Sequence, residues 1–131
     1  MKKHIFLVDD DRDKMLFFTE ALKHVPISSK CTWAQSGEQA LKQLAYLSPD
    51  IIFLGLCMPG MDGLQCLKAI KSIPRLKDIP VILHSSAIST DVRLQALNLG
   101  ARGCWERSDS IPGLADALSS LLGATTATVT I

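Results

Sequence analysis

A chain of 131 residues with 47% apolar side chains is sized for one ordinary domain with a single sizeable core. Its 14 Lys and Arg against 13 Asp and Glu leave a net charge of +1, so no global field favours nucleic acid or an anionic membrane surface. The longest apolar runs, such as Ile51 to Leu54, are strand-length rather than the ~20 residues of a membrane span. The opening Met-Lys-Lys-His-Ile-Phe-Leu-Val-Asp-Asp meets acid too early for a signal peptide, so the expectation is a soluble, cytoplasmic protein.

In chain order, Ile5 to Val8 predicts a strand, and Met15, Phe18, Leu22 and Val25 recur at helical spacing after it. Ser29 to Trp33 predicts a second strand. Ser36 with Gln39 fits a capping box before Ala40, Leu41 and Leu44. A third strand is expected at Ile51 to Leu54, a fourth at Val81 to His84 and a fifth at Gly103 to Trp105. Asp62 before Gly63 and Ser89 before Val92 are placed to cap the intervening helices, and Ile111, Leu114, Leu118 and Leu121 form the stripe of the last one. Pro49, Pro59 and Pro80 fall between elements, where a missing backbone donor costs little. The first, third and fourth strands are nearly all apolar, as expected of central strands covered on both faces.

Five strand–helix units in alternation predict an α/β fold, a (βα)5 three-layer sandwich with a parallel sheet. Right-handed crossovers give the flavodoxin-like strand order 2-1-3-4-5, with the functional crevice at the carboxyl ends of the central strands. The domain is expected over residues 1–123. Residues 124–131 alternate threonine with Ala127, Val129 and Ile131, which fits either an extra edge strand or a frayed end.

Asp9, Asp10 and Asp11 follow the first strand directly, with Asp13 close by. This loop repels phosphate and lacks a GxGxxG pattern, which disfavours a flavin or dinucleotide site. Clustered carboxylates suit a hard cation such as Mg2+; equally, acids at the positive end of a helix can simply cap and solvate it. The local sequence leaves both readings open. Cys31, Cys57, Cys66 and Cys104 show no CxxC spacing and no clustered histidines, so reduced, mostly buried thiols are expected rather than a zinc site or redox pair.

The runs Ile-Phe-Leu-Val-Asp-Asp-Asp at 5–11, Pro-Asp-Ile-Ile-Phe-Leu-Gly-Leu-Cys-Met-Pro-Gly-Met-Asp-Gly at 49–63 and Asp-Ile-Pro-Val-Ile-Leu-His-Ser-Ser at 78–86 resemble the receiver domains of two-component response regulators. The similarity covers roughly positions 3–122. The resemblance implies an aspartate ending the third strand that accepts a phosphoryl group from a histidine kinase, and a Mg2+ site beside it. Carried over by position, the metal-binding acid is Asp10, with Asp9 acting through water and the backbone carbonyl of Cys57 as a further ligand. Four residues before Pro59, the acceptor position holds Gly55. Glycine supplies neither nucleophile nor metal ligand, so Mg2+ binding is expected to be weakened or absent. Asp50 is five residues away, ~17 Å along the strand, and Asp62 starts a helix, so neither replaces the missing acid.

Ser85 keeps the hydroxyl that meets the phosphoryl group in such receivers. Arg107 stands where they carry lysine and Ser108 where they carry proline, while the switching aromatic maps to Cys104, with Trp105 facing the other side of the strand. The planar guanidinium of Arg107 favours carboxylate contacts and is expected to reach Asp9 or Asp10.

The leading functional expectation is therefore an unphosphorylatable, stand-alone pseudo-receiver. It would be a binder of signalling proteins (histidine kinase, phosphotransfer or regulator proteins), a monomer or weak homodimer, and not an enzyme. Its partner surface is expected around the fourth and fifth helices and the fifth strand, with Trp105 as an anchor. The alternative is a phosphorelay receiver phosphorylated at a non-standard acid such as Asp10 or Asp11. A third class, a small-ligand sensor using the space vacated at Gly55, has no convergent set of groups legible in the sequence.

Overall fold

The computed structural model describes residues 2–107 and 110–123. Its elements alternate along the chain. They are β1 (Lys3–Val8), α1 (Arg12–Leu22), β2 (Ser29–Ala34), α2 (Gly37–Leu44), β3 (Ile51–Gly55), α3 (Gly63–Lys71), β4 (Val81–Ser85), α4 (Thr90–Asn98), β5 (Gly103–Glu106) and α5 (Ile111–Gly123). All strand pairs are parallel, in the order β2-β1-β3-β4-β5, the flavodoxin-like arrangement expected from the alternating pattern. β2 to β5 each run one residue beyond the expected end, because Ala34, Gly55, Ser85 and Glu106 still take part in the ladder. The tail at 124–131 and Ser108 lie outside the described residues.

Alternation along each strand divides the core into two layers. Ile5, Leu7, Ile51, Phe53 and Ile82 face α1 and α5, where they meet Phe18, Leu22, Leu114, Leu118 and Leu121. Phe6, Val8, Ile52, Leu54 and Leu83 face the other way, onto Ala40 and Leu44 of α2, Cys66, Leu67 and Ile70 of α3, and Ala96 of α4. Burying each large side chain of this kind contributes about 1.5–3 kcal/mol. Phe53 sits at the centre of the first layer, edge-on to Phe18 at 5.2 Å and to Trp105 at 5.8 Å. Of the expected α1 stripe, Phe18 and Leu22 are buried and Met15 half-buried; Val25 is buried although the helix has already ended.

The helix starts follow from short polar side chains. Ser36 Oγ accepts from Gln39 N and Ser89 Oγ from Val92 N, so both cap as expected. The box at Ser36 is incomplete: Gln39 Oε1 accepts from the Gln35 amide rather than from Ser36. The reciprocal box forms instead at Asp62, whose carboxylate takes Gln65 N at 2.9 Å while Gln65 Oε1 takes Asp62 N at 3.0 Å. Replacing Asp62 by Ala is expected to cost about 1 kcal/mol, read as a lower urea midpoint with an unchanged m-value.

Two glycines make the loop between β3 and α3 possible. Gly60 has φ +75°, a left-handed conformation. At Gly63 a Cβ would lie 2.4 Å from the Gly55 carbonyl oxygen, so only glycine lets α3 start against the end of β3. The Gly63 amide then donates to Leu56 O at 2.9 Å and ties the loop back to the sheet.

All four cysteines are free. Cys66 and Cys104 are buried and Cys31 half-buried, but Cys57 is exposed, contrary to the expectation of mostly buried thiols at that one position. Burial pushes the Cys31 and Cys66 thiols up to about 12, which leaves them unreactive.

Candidate functional site

The carboxyl ends of β1, β3 and β4 meet at one edge of the sheet, and the acids after β1 divide there into three roles. Asp9 turns inward and is 4% exposed. Its backbone is fixed from two sides: its amide donates to Ala34 O at 3.1 Å and its carbonyl accepts from Trp33 Nε1 at 2.8 Å. Its carboxylate is held by the Asp11 amide on Oδ1 at 3.0 Å and by Arg107 Nη1 on Oδ2 at 3.1 Å. Asp10 is exposed. Asp11 is the N-cap of α1, accepting from Asp13 N and Lys14 N. The capping reading of the acidic loop therefore applies to Asp11, and Asp9 has a separate task.

Burial pushes the Asp9 carboxyl above the usual carboxylate range. The Asp11 amide, Arg107 and Lys14 pull it back, while Asp10 adds to the rise. Arg107 is thus a partial counter-charge to a desolvated acid, and together with the Asp11 amide it keeps the buried carboxylate tolerable.

Gly55 is the last residue of β3, buried, with His84 as its ladder partner. Ser85 closes β4 in a buried position, and its carbonyl accepts from the Arg107 amide at 3.0 Å. Asp9, Gly55, Ser85 and Arg107 are therefore assembled at one place, with Asp10 at the rim and Cys57 exposed in the following loop. The other acids near β3 are engaged elsewhere. Asp50 Oδ2 accepts from His4 N at 2.7 Å at the far end of the strand, and Asp62 caps α3.

His84, which in sequence is only the polar end of an apolar strand, belongs to this site. Side chains on β1 and β4 flank β3 and are normally separated by whatever stands between them. With no side chain at Gly55, the imidazole reaches across β3 and Nε2 comes to 4.0 Å from Asp9 Oδ2. Burial, then Arg107 and Lys14, push the His84 pKa down to about 3 against the opposing pull of the Val8 carbonyl. The contact is thus between a neutral ring and a carboxylate already held by Arg107, not an ion pair.

Residues 5–118 match the family model described as the response regulator receiver domain. The chain belongs to the response regulator receiver family. Among curated relatives, this receiver is 34% identical over 97 residues to the DNA-binding transcriptional regulator NtrC of Escherichia coli K12, covering 74% of this chain and 20% of that protein. It is 38% identical over 100 residues to a protein-glutamate methylesterase/protein-glutamine glutaminase of Treponema pallidum, covering 74% of this chain and 24% of the relative. The receiver thus spans a fifth to a quarter of these proteins. Among solved structures, the phosphorylated cyanobacterial phytochrome response regulator RcpA matches at TM-score 0.85 and 29% identity, over 99% of this chain and 98% of that one. The Mn2+-bound form of response regulator Rcp1 matches at TM-score 0.81 and 26% identity, over 98% of each chain.

A divalent cation fits the residues of this receiver poorly. Gly55 offers no carboxylate, and one Asp9 oxygen is taken by a guanidinium. Among the described residues, no group of three or more His, Cys, Asp or Glu side chains is arranged to hold a metal ion. Nor is any described helix long and apolar enough to cross a membrane.

Proposed function

We propose that this two-component receiver is a pseudo-receiver, a protein–protein interaction module that is not phosphorylated. The carrying observation is that Gly55 ends β3 where the family resemblance puts the acceptor aspartate, while Arg107 Nη1 sits 3.1 Å from Asp9 Oδ2. An acceptor without a side chain cannot form an acyl phosphate. The guanidinium supplies a fixed positive charge where Mg2+ would otherwise be recruited, so the crevice is held in one state by its own sequence. Of the alternative acids, Asp11 is committed to the helix cap and Asp10 points to solvent.

On this reading the protein performs no catalysis and works in the cytoplasm. Its partners are histidine kinases, phosphotransfer proteins or other regulators, met as a monomer or weak homodimer. The expected surface around α4, β5 and α5 presents Leu94 and Leu97 on α4, which are 55% and 47% exposed. The expectation that Trp105 anchors a partner there is corrected: it is 5% exposed and packed against Phe53 inside the core. A side chain committed to the core has no surface to offer.

Incubation with acetyl phosphate and Mg2+, followed by intact-mass measurement, tests the proposal. The expected result is an unchanged mass; a labile, Mg2+-dependent gain of one phosphoryl group overturns it. In the same protein, Mg2+ affinity is expected to be about tenfold or more below that of a receiver carrying the full carboxylate set, measured by titration of Trp fluorescence.

A further inference from the structure

The fourth helix is the most weakly seated of its layer. α3 and α4 have nine residues each, yet α3 buries Gly63, Cys66, Leu67 and Ile70 whereas α4 buries Ala96 alone. Val92 is half-buried, and the two leucines that could have anchored the helix, Leu94 and Leu97, are largely exposed. Apolar burial stabilises in proportion to the area removed from water, so one methyl side chain holds α4 far less firmly than those four residues hold α3.

What α4 lacks in packing is supplied by polar ties, and these differ at its two ends. The carboxyl end is fixed through the main chain: around Gly100, at φ +103°, the Ala101 amide donates to Ala96 O at 2.9 Å and the Arg102 amide to Val81 O at 2.9 Å. The amino end is fixed through side chains. Glu106 Oε1 accepts from the Ile88 amide at 3.1 Å, and Arg93 Nη1 donates to the Cys104 carbonyl at 3.2 Å. Glu106 is the exposed last residue of an edge strand, so its carboxylate is within reach of solvent and of a partner. Cys104, by contrast, is 2% exposed and shares an apolar layer with Ile88 and Ala96.

We propose that α4 has two positions, docked and lifted, and that the Glu106 carboxylate is the latch between them. In the docked position Glu106 holds the Ile88 amide. In the lifted one that bond is broken, the amino end of α4 swings about Gly100, and Ile88, Ala96 and Cys104 become accessible beside Leu94 and Leu97. Lifting therefore adds to the α4 face the apolar surface that the docked helix covers. Opening one weakly packed element costs less than unfolding the whole chain, so it occurs within the folded protein. The residue after the latch, Arg107, holds Asp9 on the opposite side of β5, because successive side chains alternate. The device needs no phosphoryl group, so its failure leaves the pseudo-receiver reading untouched.

Alkylation by N-ethylmaleimide at fixed pH, resolved by peptide mass into individual cysteines, measures the lifting. Cys57 is exposed and is expected to react at once, while Cys66, fully buried in α3, reports unfolding of the whole domain. Cys104 is expected to react at a rate between the two. In Glu106→Ala the Cys104 rate is expected to rise about tenfold, the lower worth of a hydrogen bond to a charged group, with Cys66 unchanged. Glu106→Gln keeps an oxygen acceptor on a stem of the same length and is expected to stay within about threefold of wild type. Equal Cys104 rates in Glu106→Ala and wild type overturn the proposal. So does a rise shared by Cys66, which marks loosening of the whole domain. Glu106→Gln reacting as fast as Glu106→Ala overturns it too, because the acceptor oxygen is then not what holds the helix.

Discussion

Replacing His84 by Leu is expected to stabilise the protein, and to do so far more at pH 5 than at pH 7. The folded state holds this imidazole at a pKa of about 3, whereas the unfolded chain binds the proton at the ordinary value of 6.5. As pH falls through 6.5 the unfolded state therefore takes up a proton that the folded state refuses, and stability drops continuously toward the folded pKa. Between pH 7 and pH 5 this linkage alone amounts to about 2 kcal/mol for a folded pKa near 3. Removing a buried ring whose nitrogens lack a well-formed hydrogen bond adds about 1–3 kcal/mol at any pH where the ring is neutral. Asp9 acts in the opposite sense: its raised pKa favours the folded state at low pH and loses that advantage as pH rises out of the carboxylate range. His4, whose pKa is also lowered, chiefly by burial, is present in both proteins and cancels in the comparison. Urea unfolding of wild type and His84→Leu across this range checks the prediction. Stability curves that run parallel from pH 7 to pH 5 would show that the histidine is solvated or paired.

Gly55→Asp is expected to destabilise the protein by about 1–3 kcal/mol in the absence of divalent cations. Its Cβ would stand 3.1 Å from the Val8 carbonyl oxygen, so the neighbouring strand must yield by a few tenths of an ångström. The new carboxylate would also lie beside buried Asp9, and Arg107 contacts that acid through a single nitrogen in this structure. Because the guanidinium already occupies Asp9, Mg2+ is expected to recover little of this loss in the single variant. In Gly55→Asp/Arg107→Lys, the compact ammonium leaves the carboxylates free to share a cation. At a hundredfold excess over Kd, Mg2+ would then stabilise the double variant by about 2.7 kcal/mol, roughly a 10 °C rise in Tm for a domain of this size. Wild type should not move. Thermal unfolding with and without Mg2+ measures all three, and wild type gaining as much as the double variant would remove the basis for a cation-independent crevice.

Much of this could be read from one dimension. The alternation of apolar strands with amphipathic helices determined the sheet order, because parallel strands buried on both faces leave few ways to connect. Asp62 and Ser89 were legible as caps because capping depends on residues only three apart. The convergence of Asp9, Gly55, Ser85 and Arg107 was legible because each ends its strand or directly follows it. What the sequence could not decide was the business of side chains meeting across strands. Nothing local separates Asp9 from Asp10 and Asp11; only the packing of β1 between β2 and β3 turns the first inward, leaves the second in solvent and makes the third a cap. Nothing local buries Trp105 rather than exposing it. And His84 in an apolar run is an ordinary polar strand end until the ladder sets it opposite Gly55 and brings its ring to 4.0 Å from Asp9, a position far away in the chain. Composition and periodicity determine which backbone forms, since those signals repeat along the chain; the register between strands decides which side chains share a desolvated volume, and that is set only when the whole sheet closes.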